Sequence, residues 1–462
     1  MNIEEFYQTI KGKTVAFCGI GSSNLPLVKL FAQRGALVTA RDRRSREKLG
    51  TTADELERLG VKLKLGDDYL EELREQIIFR TPGMKYFLPE LNQARARGSV
   101  VTSEMEVFFE LCPCKIVAVT GSDGKTTTTT VISEMLKAAG KTVHLGGNIG
   151  NPLLPEIEAM RPADFAVAEL SSFQLISMRR SPDIAVVTNV TPNHLDMHKD
   201  MQEYIDAKKN IILHQSAFGR AVLNADNEIT VGFAQSARGE TILFSRKTKC
   251  EYGAWLNEKN QIIFSANGKD TFVMDAGEIK IPGSHNIENY MAAVSALWGY
   301  VDVSVMAQVA KTFGGVEHRN EFVRELDGVR YFNDSIGTTP SRTANGTLSL
   351  YEDKIILIAG GYDKKIPFDS FGPVIADKVK TLVLMGATAD QIEQSVKAAP
   401  NYSEGCPKIF RVQSLEEAVN VCRREAVSGD VVSLSPACAS FDMFPNYETR
   451  GEEFKKLVNQ LK

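Results

Sequence analysis

The sequence predicts an α/β protein of three domains, each built on parallel strands alternating with helices. Three observations lead there. The chain has 462 residues, too many for one ordinary core and close to a three-domain length. Short apolar runs recur, each followed by a glycine-bearing loop and a stretch of helical periodicity, the pattern of a βα unit. Glycines also stand where these runs end, at the carboxyl edge where open α/β sheets bind ligands. The expected divisions are residues 1–105, 106–316 and 317–462.

Composition narrows the classes. Hydrophobic residues make up 43% and charged residues 24%, with a net charge of −4, which offers no basic field for nucleic acid or an anionic membrane. Met1 to Thr9 contain two adjacent glutamates and no apolar core of a signal peptide. No apolar run reaches the roughly 18 residues needed to span a bilayer. Seven cysteines, an odd number spread thinly, fit a reducing, cytoplasmic setting better than a disulfide framework. Cys112-Pro113-Cys114 lacks a second Cys/His pair at zinc spacing and reads as structural.

The first segment opens with the strand Thr14 to Cys18 and the loop Gly19-Ile20-Gly21-Ser22-Ser23-Asn24. A helix follows, with Leu27, Val28, Leu30, Phe31 and Ala32 on its apolar face and Gly35 as its stop. A second strand, Ala36 to Ala40, ends near Asp42, 23 residues after Gly19. This spacing is that of a Rossmann-like nucleotide-binding unit, although Asn24 replaces the third glycine. A nucleotide or sugar nucleotide is the expected ligand.

In the second segment the strand Lys115 to Val119 runs into Thr120-Gly121-Ser122-Asp123-Gly124-Lys125-Thr126-Thr127. A helix continues to Ala139. Backbone N–H groups at such a helix start bind phosphate oxygens, and a lysine adds a point charge. Gly121 and Gly124 allow close approach, Lys125 would reach the terminal phosphates, and Thr126 offers a hydroxyl to Mg²⁺. Val119 occupies the first glycine position of the full phosphate-loop pattern, which makes this a variant with a shorter cradle. Phe165 to Ala168 and Ile184 to Val187 are further buried strands, completing a central P-loop ATPase-like domain. Two residues near strand ends, Glu169 and His194, are candidate Mg²⁺ ligands.

The third segment, again Rossmann-like, carries strands at Ile355 to Ala359, Leu382 to Leu384 and Val431 to Leu434. Gly360, Gly361 and Gly386 stand at their carboxyl ends.

Together these motifs resemble the Mur ligases of peptidoglycan synthesis. The likeness is carried by the 120–127 loop, Gly-Gly-Asn-Ile-Gly at 146–150, Glu-Leu-Ser-Ser-Phe-Gln at 169–174 and Asn-Val-Thr-Pro-Asn-His-Leu-Asp at 189–196. It continues through Gly-Ser-His-Asn at 283–286, His-Arg-Asn-Glu at 318–321, Asn-Asp-Ser at 333–335 and Ser-Pro-Ala-Cys-Ala-Ser-Phe-Asp-Met-Phe at 435–444. The 318–321 and 435–444 motifs point to the D-glutamate-adding member.

The resemblance implies the order uridine nucleotide, ATP, amino acid along the chain. It implies a cytoplasmic, monomeric ligase that joins D-glutamate to UDP-N-acetylmuramoyl-L-alanine through an acyl phosphate, using ATP and two Mg²⁺ ions. Gly21, Ser22, Ser23, Asn24 and Asp42 would meet the uridine diphosphate. Asn148 would face the phosphates or the reacting carboxylate, while Asn286, Arg319 and Asp334 would contact ATP. Thr126, Glu169, His194 and a carbamylated Lys208 would surround the metals; Lys209 is the adjacent alternative to Lys208. Thr338, Lys364, Ser440 and Tyr447 would hold D-glutamate, with Lys365 the alternative to Lys364. One departure stands out: many relatives place a lysine after Asn-Asp-Ser, and here the residue is Ile336.

Overall fold

Every strand read from the apolar runs forms, and each belongs to one of three sheets. The structure is a computed structural model that describes residues 1–192 and 197–462. The first sheet comprises β1 (Thr14–Cys18), β2 (Leu37–Asp42), β3 (Lys62–Leu65), β4 (Ile77–Arg80) and β5 (Val100–Thr102). Its order is β3-β2-β1-β4-β5 and every neighbouring pair is parallel. The winding therefore reverses between β1 and β4, and the loops leaving those two strands open a crevice at the switch point.

The second sheet contains β6 (Lys115–Thr120), β7 (Val143–Gly147), β8 (Phe165–Glu169), β9 (Ile184–Val187) and β10 (Arg220–Asn224). It continues through β11 (Glu240–Ser245), β12 (Gly253–Leu256), β13 (Gln261–Ala266) and β14 (Lys269–Asp275). The order is β14-β13-β12-β11-β10-β9-β6-β8-β7. β6 lies between β8 and β9, so this sheet also reverses at the strand that feeds the phosphate loop. The last three strands form an antiparallel extension that the sequence reading did not anticipate.

The third sheet comprises β15 (Glu321–Leu326), β16 (Val329–Asn333), β17 (Ile355–Ala359), β18 (Val379–Leu384), β19 (Lys408–Arg411) and β20 (Val431–Leu434). Its order is β15-β16-β20-β17-β18-β19. Only the β15–β16 hairpin is antiparallel. Asp327 and Gly328 turn it with φ of 52° and 75°, the paired positive values that a two-residue hairpin turn needs.

Strands β8, β9, β17 and β20 are buried at every position, as expected of parallel strands covered on both faces. The chain divides into two compact units, 1–276 with 287–309, and 277–286 with 310–462. The first two sheets share a unit for a physical reason. One apolar cluster runs from Phe17, Phe31 and Phe79 through Phe108 and Phe109 to Leu154, Ala168 and Val187. No helix among the described residues is long and apolar enough to cross a membrane.

Candidate active site

The phosphate loop is shaped by its neighbours. Gly121 leaves β6 beside the end of β9, and a Cβ there would lie 1.8 Å from Thr188 Oγ1. Gly124 adopts φ +77°, and a Cβ would come within 2.4 Å of Asn289 Oδ1. The backbone is pinned as well: Ser122 N–H donates to Asn189 O at 2.9 Å, and Asp123 N–H donates to Asn189 Oδ1 at 2.9 Å. The helix Lys125–Ala138 then begins without a side-chain cap. Its first N–H groups and positive dipole end thus face the loop rather than a capping side chain. Lys125 Nζ folds back onto the carbonyls of Gly121 and Ser122 at 3.0 and 2.9 Å, within the cradle.

The Ser122 side chain anchors the loop. Its hydroxyl donates to Thr191 O at 2.9 Å, accepts Thr191 N–H at 2.9 Å and lies 3.0 Å from the Tyr204 hydroxyl. It ties the loop to the segment after β9. Asp123 is exposed, Thr127 half-buried, and Thr126 is buried at the helix start.

Glu169, the last residue of β8, is 1% exposed. Asn148 Nδ2 donates to Glu169 Oε1 at 2.7 Å and Asn148 N–H donates to Glu169 O at 2.8 Å, so these two predicted residues meet. Glu169 Oε2 is buried with no hydrogen-bond donor among the described residues. A bare buried carboxylate oxygen is costly unless a cation completes it. That donor suits a hard divalent ion such as Mg²⁺.

Lys208 sits on the helix Met201–Leu213 and is 2% exposed. Its Nζ donates to Gly121 O at 2.7 Å and Thr120 Oγ1 at 3.3 Å, whereas Lys209 is half-buried. Among the described residues no carboxylate forms an ion pair with Lys208. Burial, and then the nearby charge of Lys125, push its amine well below the ordinary lysine range. The unprotonated amine is the nucleophilic form. His194 falls outside the described residues.

In the first sheet, Gly21 and Ser22 are exposed, Ser23 is half-buried and Asn24 is buried, all in the loop leaving β1. Asn24 Nδ2 donates to Gly19 O at 2.9 Å, so the residue in the third-glycine place holds the loop itself. Asp42 is also engaged internally. Its carboxylate accepts Ile20 N–H at 2.7 Å and both the N–H and the guanidinium of Arg44. Burial alone would raise this carboxyl, but those bonds bring it below the usual range. Asp42 therefore orders the loop and aims Arg44, a residue the sequence reading passed over.

In the third sheet, the loops leaving β16, β17 and β20 lie on one edge. Lys364 Nζ donates to the carbonyl and hydroxyl oxygens of Thr338, both at 3.1 Å, while Lys365 pairs with Asp363 at 2.9 Å. Ser440 is buried. Tyr447 begins the helix Tyr447–Gln460, and its carbonyl accepts the Ser335 hydroxyl at 2.7 Å. Arg450, 1% exposed, supports these loops by donating to Ser335 Oγ at 3.0 Å and to Ser335 O at 2.8 Å.

Asp334, expected to contact ATP, is held by neighbouring hydroxyls. It is buried, and its carboxylate accepts the hydroxyls of Thr347 and Ser435 at 2.8 and 2.7 Å. Burial raises its carboxyl above the usual range, against those two bonds. Arg319 follows His318, whose φ is +59°. His318 Nδ1 lies 3.0 Å from Asn333 Nδ2. Asn286 lies in the same unit, near the start of the helix Ser284–Leu297. Glu317, His318 and Glu452 could superficially hold a metal, but Lys455 already occupies their midst, 2.6 and 2.7 Å from the two glutamates. Cys112 and Cys114 lie with their sulfurs 3.5 Å apart as free thiols.

The residues that sequence reasoning missed are supports. Tyr204 precedes Lys208 by one helical turn, a readable signal. Asn289 and Thr188 gave none, because their contact with the loop exists only in three dimensions. A recess of about 360 Å³ bordered by Tyr86, Phe87, Phe173 and His198 was also unforeseen.

Comparison with known proteins agrees with this arrangement. Residues 119–297 match the Mur ligase middle domain and residues 318–438 the Mur ligase glutamate ligase domain. The UDP-N-acetylmuramoylalanine–D-glutamate ligase of Acetivibrio thermocellus is 53% identical, covering 99% of both chains. That of Ruminiclostridium cellulolyticum is 50% identical, covering 100% of this chain and 99% of its own. In fold, the chain resembles the UDP-N-acetylmuramate–alanine ligase of Thermotoga maritima at 18% identity and a TM-score of 0.57, over 97% of this chain and 100% of that one. It also resembles a type C pseudomurein peptide ligase from Methanothermus fervidus, at 18% identity and a TM-score of 0.52 over the same shares. With a phosphate loop, a bare buried carboxylate and a buried lysine gathered at one sheet edge, and with relatives alike from end to end, the chain belongs to the Mur ligase family.

Proposed function

We propose that the chain is an ATP-dependent ligase that joins D-glutamate to UDP-N-acetylmuramoyl-L-alanine in the cytoplasm, as a monomer, during peptidoglycan precursor synthesis. The observation that carries this reading is identity of about half, over nearly the full length, to relatives bearing that enzyme's name. The alanyl carboxylate takes the γ-phosphoryl group of ATP, the D-glutamate amine attacks the resulting acyl phosphate, and phosphate leaves as the amide forms.

Residues 1–105 would hold the uridine nucleotide, 106–316 ATP and 317–462 the amino acid. Lys125 and the loop N–H groups cradle the phosphates, and little covalent help is needed for such a transfer. Thr126, Glu169, His194 and Lys208 would hold two Mg²⁺ ions, which supply positive charge to the transferring phosphoryl group. Lys208 would serve as a carbamate. Its unprotonated amine is the form that takes up carbon dioxide, and the product replaces a cation with anionic oxygen. Asn148 fixes one oxygen of Glu169 and leaves the other for the metal. Arg319 and Asn286 would contact ATP, and Asp334 would act indirectly by holding the loop between β16 and β17. Gly21 to Ser23 and Arg44 would meet the uridine diphosphate. Thr338, Lys364, Ser440 and Tyr447 would bind D-glutamate.

The test is phosphate release with UDP-N-acetylmuramoyl-L-alanine and a panel of amino acids. D-glutamate should support turnover alone. Turnover with L-lysine or diaminopimelate but not D-glutamate would overturn the assignment.

A further inference from the structure

The edge of the third sheet carries a cation that the predicted site did not include. Arg342 lies in the short helix Pro340–Arg342, four residues after Thr338. It is half-buried, and among the described residues no hydrogen bond or ion pair engages its guanidinium. Several arginines of this unit have one, as Arg450 donates to Ser335, Arg411 pairs with Glu393 and Arg324 donates to Asn459 O at 3.0 Å; Arg330, which also has none, is exposed to water. A guanidinium partly withdrawn from water with its five donors unused is matched to a planar anion.

Its surroundings indicate where that anion would sit. β16, β20 and β17 are adjacent and parallel, so the loops that follow them share one edge: 334–342, 435–447 and 360–368. The Arg342 loop is held rigidly there. Ser435 Oγ donates to Asp334 Oδ2 at 2.7 Å and lies 3.0 Å from Thr343 Oγ1, and Thr347 Oγ1 donates to the same Asp334 oxygen. The Arg342 charge reaches both Asp334 and the Tyr447 phenol. On the same loop, Thr338 is already bridged to Lys364. Ile336, between Asp334 and Thr338, contributes no charge.

We infer that Arg342 is a specificity-determining residue that grips a carboxylate of the incoming amino acid, opposite Lys364. Two cations on rigid loops that flank one edge suit a substrate with two carboxylates, and neither alone would select for it. A nucleotide phosphate is the other anion a guanidinium could take, and the experiment separates the two.

The inference rests on D-glutamate being the amino acid. Steady-state kinetics on the full-length enzyme would compare wild type with Arg342→Gln and Arg342→Lys, varying each substrate in turn. The KM for D-glutamate should rise at least tenfold in Arg342→Gln and less in Arg342→Lys, with the KM for ATP and for the uridine substrate within twofold of wild type. A D-glutamate KM within twofold of wild type in Arg342→Gln, or a parallel rise in the KM for ATP, would overturn it. If the wild-type enzyme itself made no amide with D-glutamate, the proposed function would fall instead, before any variant was compared. Arg342→Lys keeps charge without the bidentate fork, so its intermediate value is a readout that mere loss of packing would not give.

Discussion

At the scale of single residues, the site is governed by groups whose ordinary behaviour the fold alters. Burial, and then the nearby charge of Lys125, pushes the Lys208 amine well below the ordinary lysine range. Lys208→Ala should lose nearly all turnover, at least a thousandfold, and small carboxylates such as formate or acetate should restore part of it by standing in for the carbamate oxygens. Phosphate release with and without the added acid measures this; no recovery at any concentration would remove Lys208 from the metal site. Gly121 is constrained differently. A methyl group at 121 would collide with Thr188 Oγ1 at 1.8 Å, and overpacking of this kind costs about 1–3 kcal/mol. Gly121→Ala should therefore raise the KM for ATP at least tenfold and lower the melting temperature, both measurable on the same preparation.

At the scale of elements, one buried carboxylate joins two pieces of the first unit. Glu104 begins the helix Glu104–Leu111 and accepts Leu154 N–H at 2.9 Å, at the start of the 3₁₀ turn Leu154–Ala159. Burial pushes its carboxyl up to about 7 from 4.5. The folded state holds this proton more tightly than the unfolded chain does. The associated stability is whole below pH 4.5 and is lost as pH rises through 7. A rise of that size is worth on the order of 3 kcal/mol. Glu104→Gln should accordingly gain on wild type between pH 5 and pH 8 in urea denaturation, and parallel curves across that range would refute the assignment.

The same scale shows what could be read from sequence. β1, β6, β9, β17 and β20 were legible because each is an apolar run ending at a glycine or polar loop, and both ends are local signals. β12 to β14 were not. They are unevenly buried strands without a regular alternation, and the one local signal, the Asn267-Gly268 hairpin turn between β13 and β14 with φ of 52° and 74°, was passed over. At the site, Lys125, Glu169 and Asn148 were legible because their motifs place them at strand ends. Asn289 and Thr188 were not, since their importance lies in the space they take from Gly124 and Gly121. Asp42 was singled out from its spacing, whereas its bonds to Ile20 and Arg44 could be read only from the folded loop.

At the scale of the whole molecule, the two compact units have separate cores. Phe17, Phe108 and Val187 belong to one, and Leu357, Phe371 and Leu384 to another. Calorimetry should resolve two unfolding transitions. A uridine nucleotide whose site lies wholly in residues 1–105 should raise only the first unit's transition, by about 2.7 kcal/mol at a hundred times its dissociation constant. A shift of both together would mean that the units unfold as one. The path between them has a further consequence. The polypeptide passes from one unit to the other at 276/277, returns at 286/287 and leaves again at 309/310. A gene split between codons 276 and 277 would give a second polypeptide that still carries 287–309, the stretch that completes the first unit. The two halves would then be bound to reassemble by threading that stretch home, which makes this ligase a natural substrate for fragment complementation, with amide formation as the signal that the pieces have found each other.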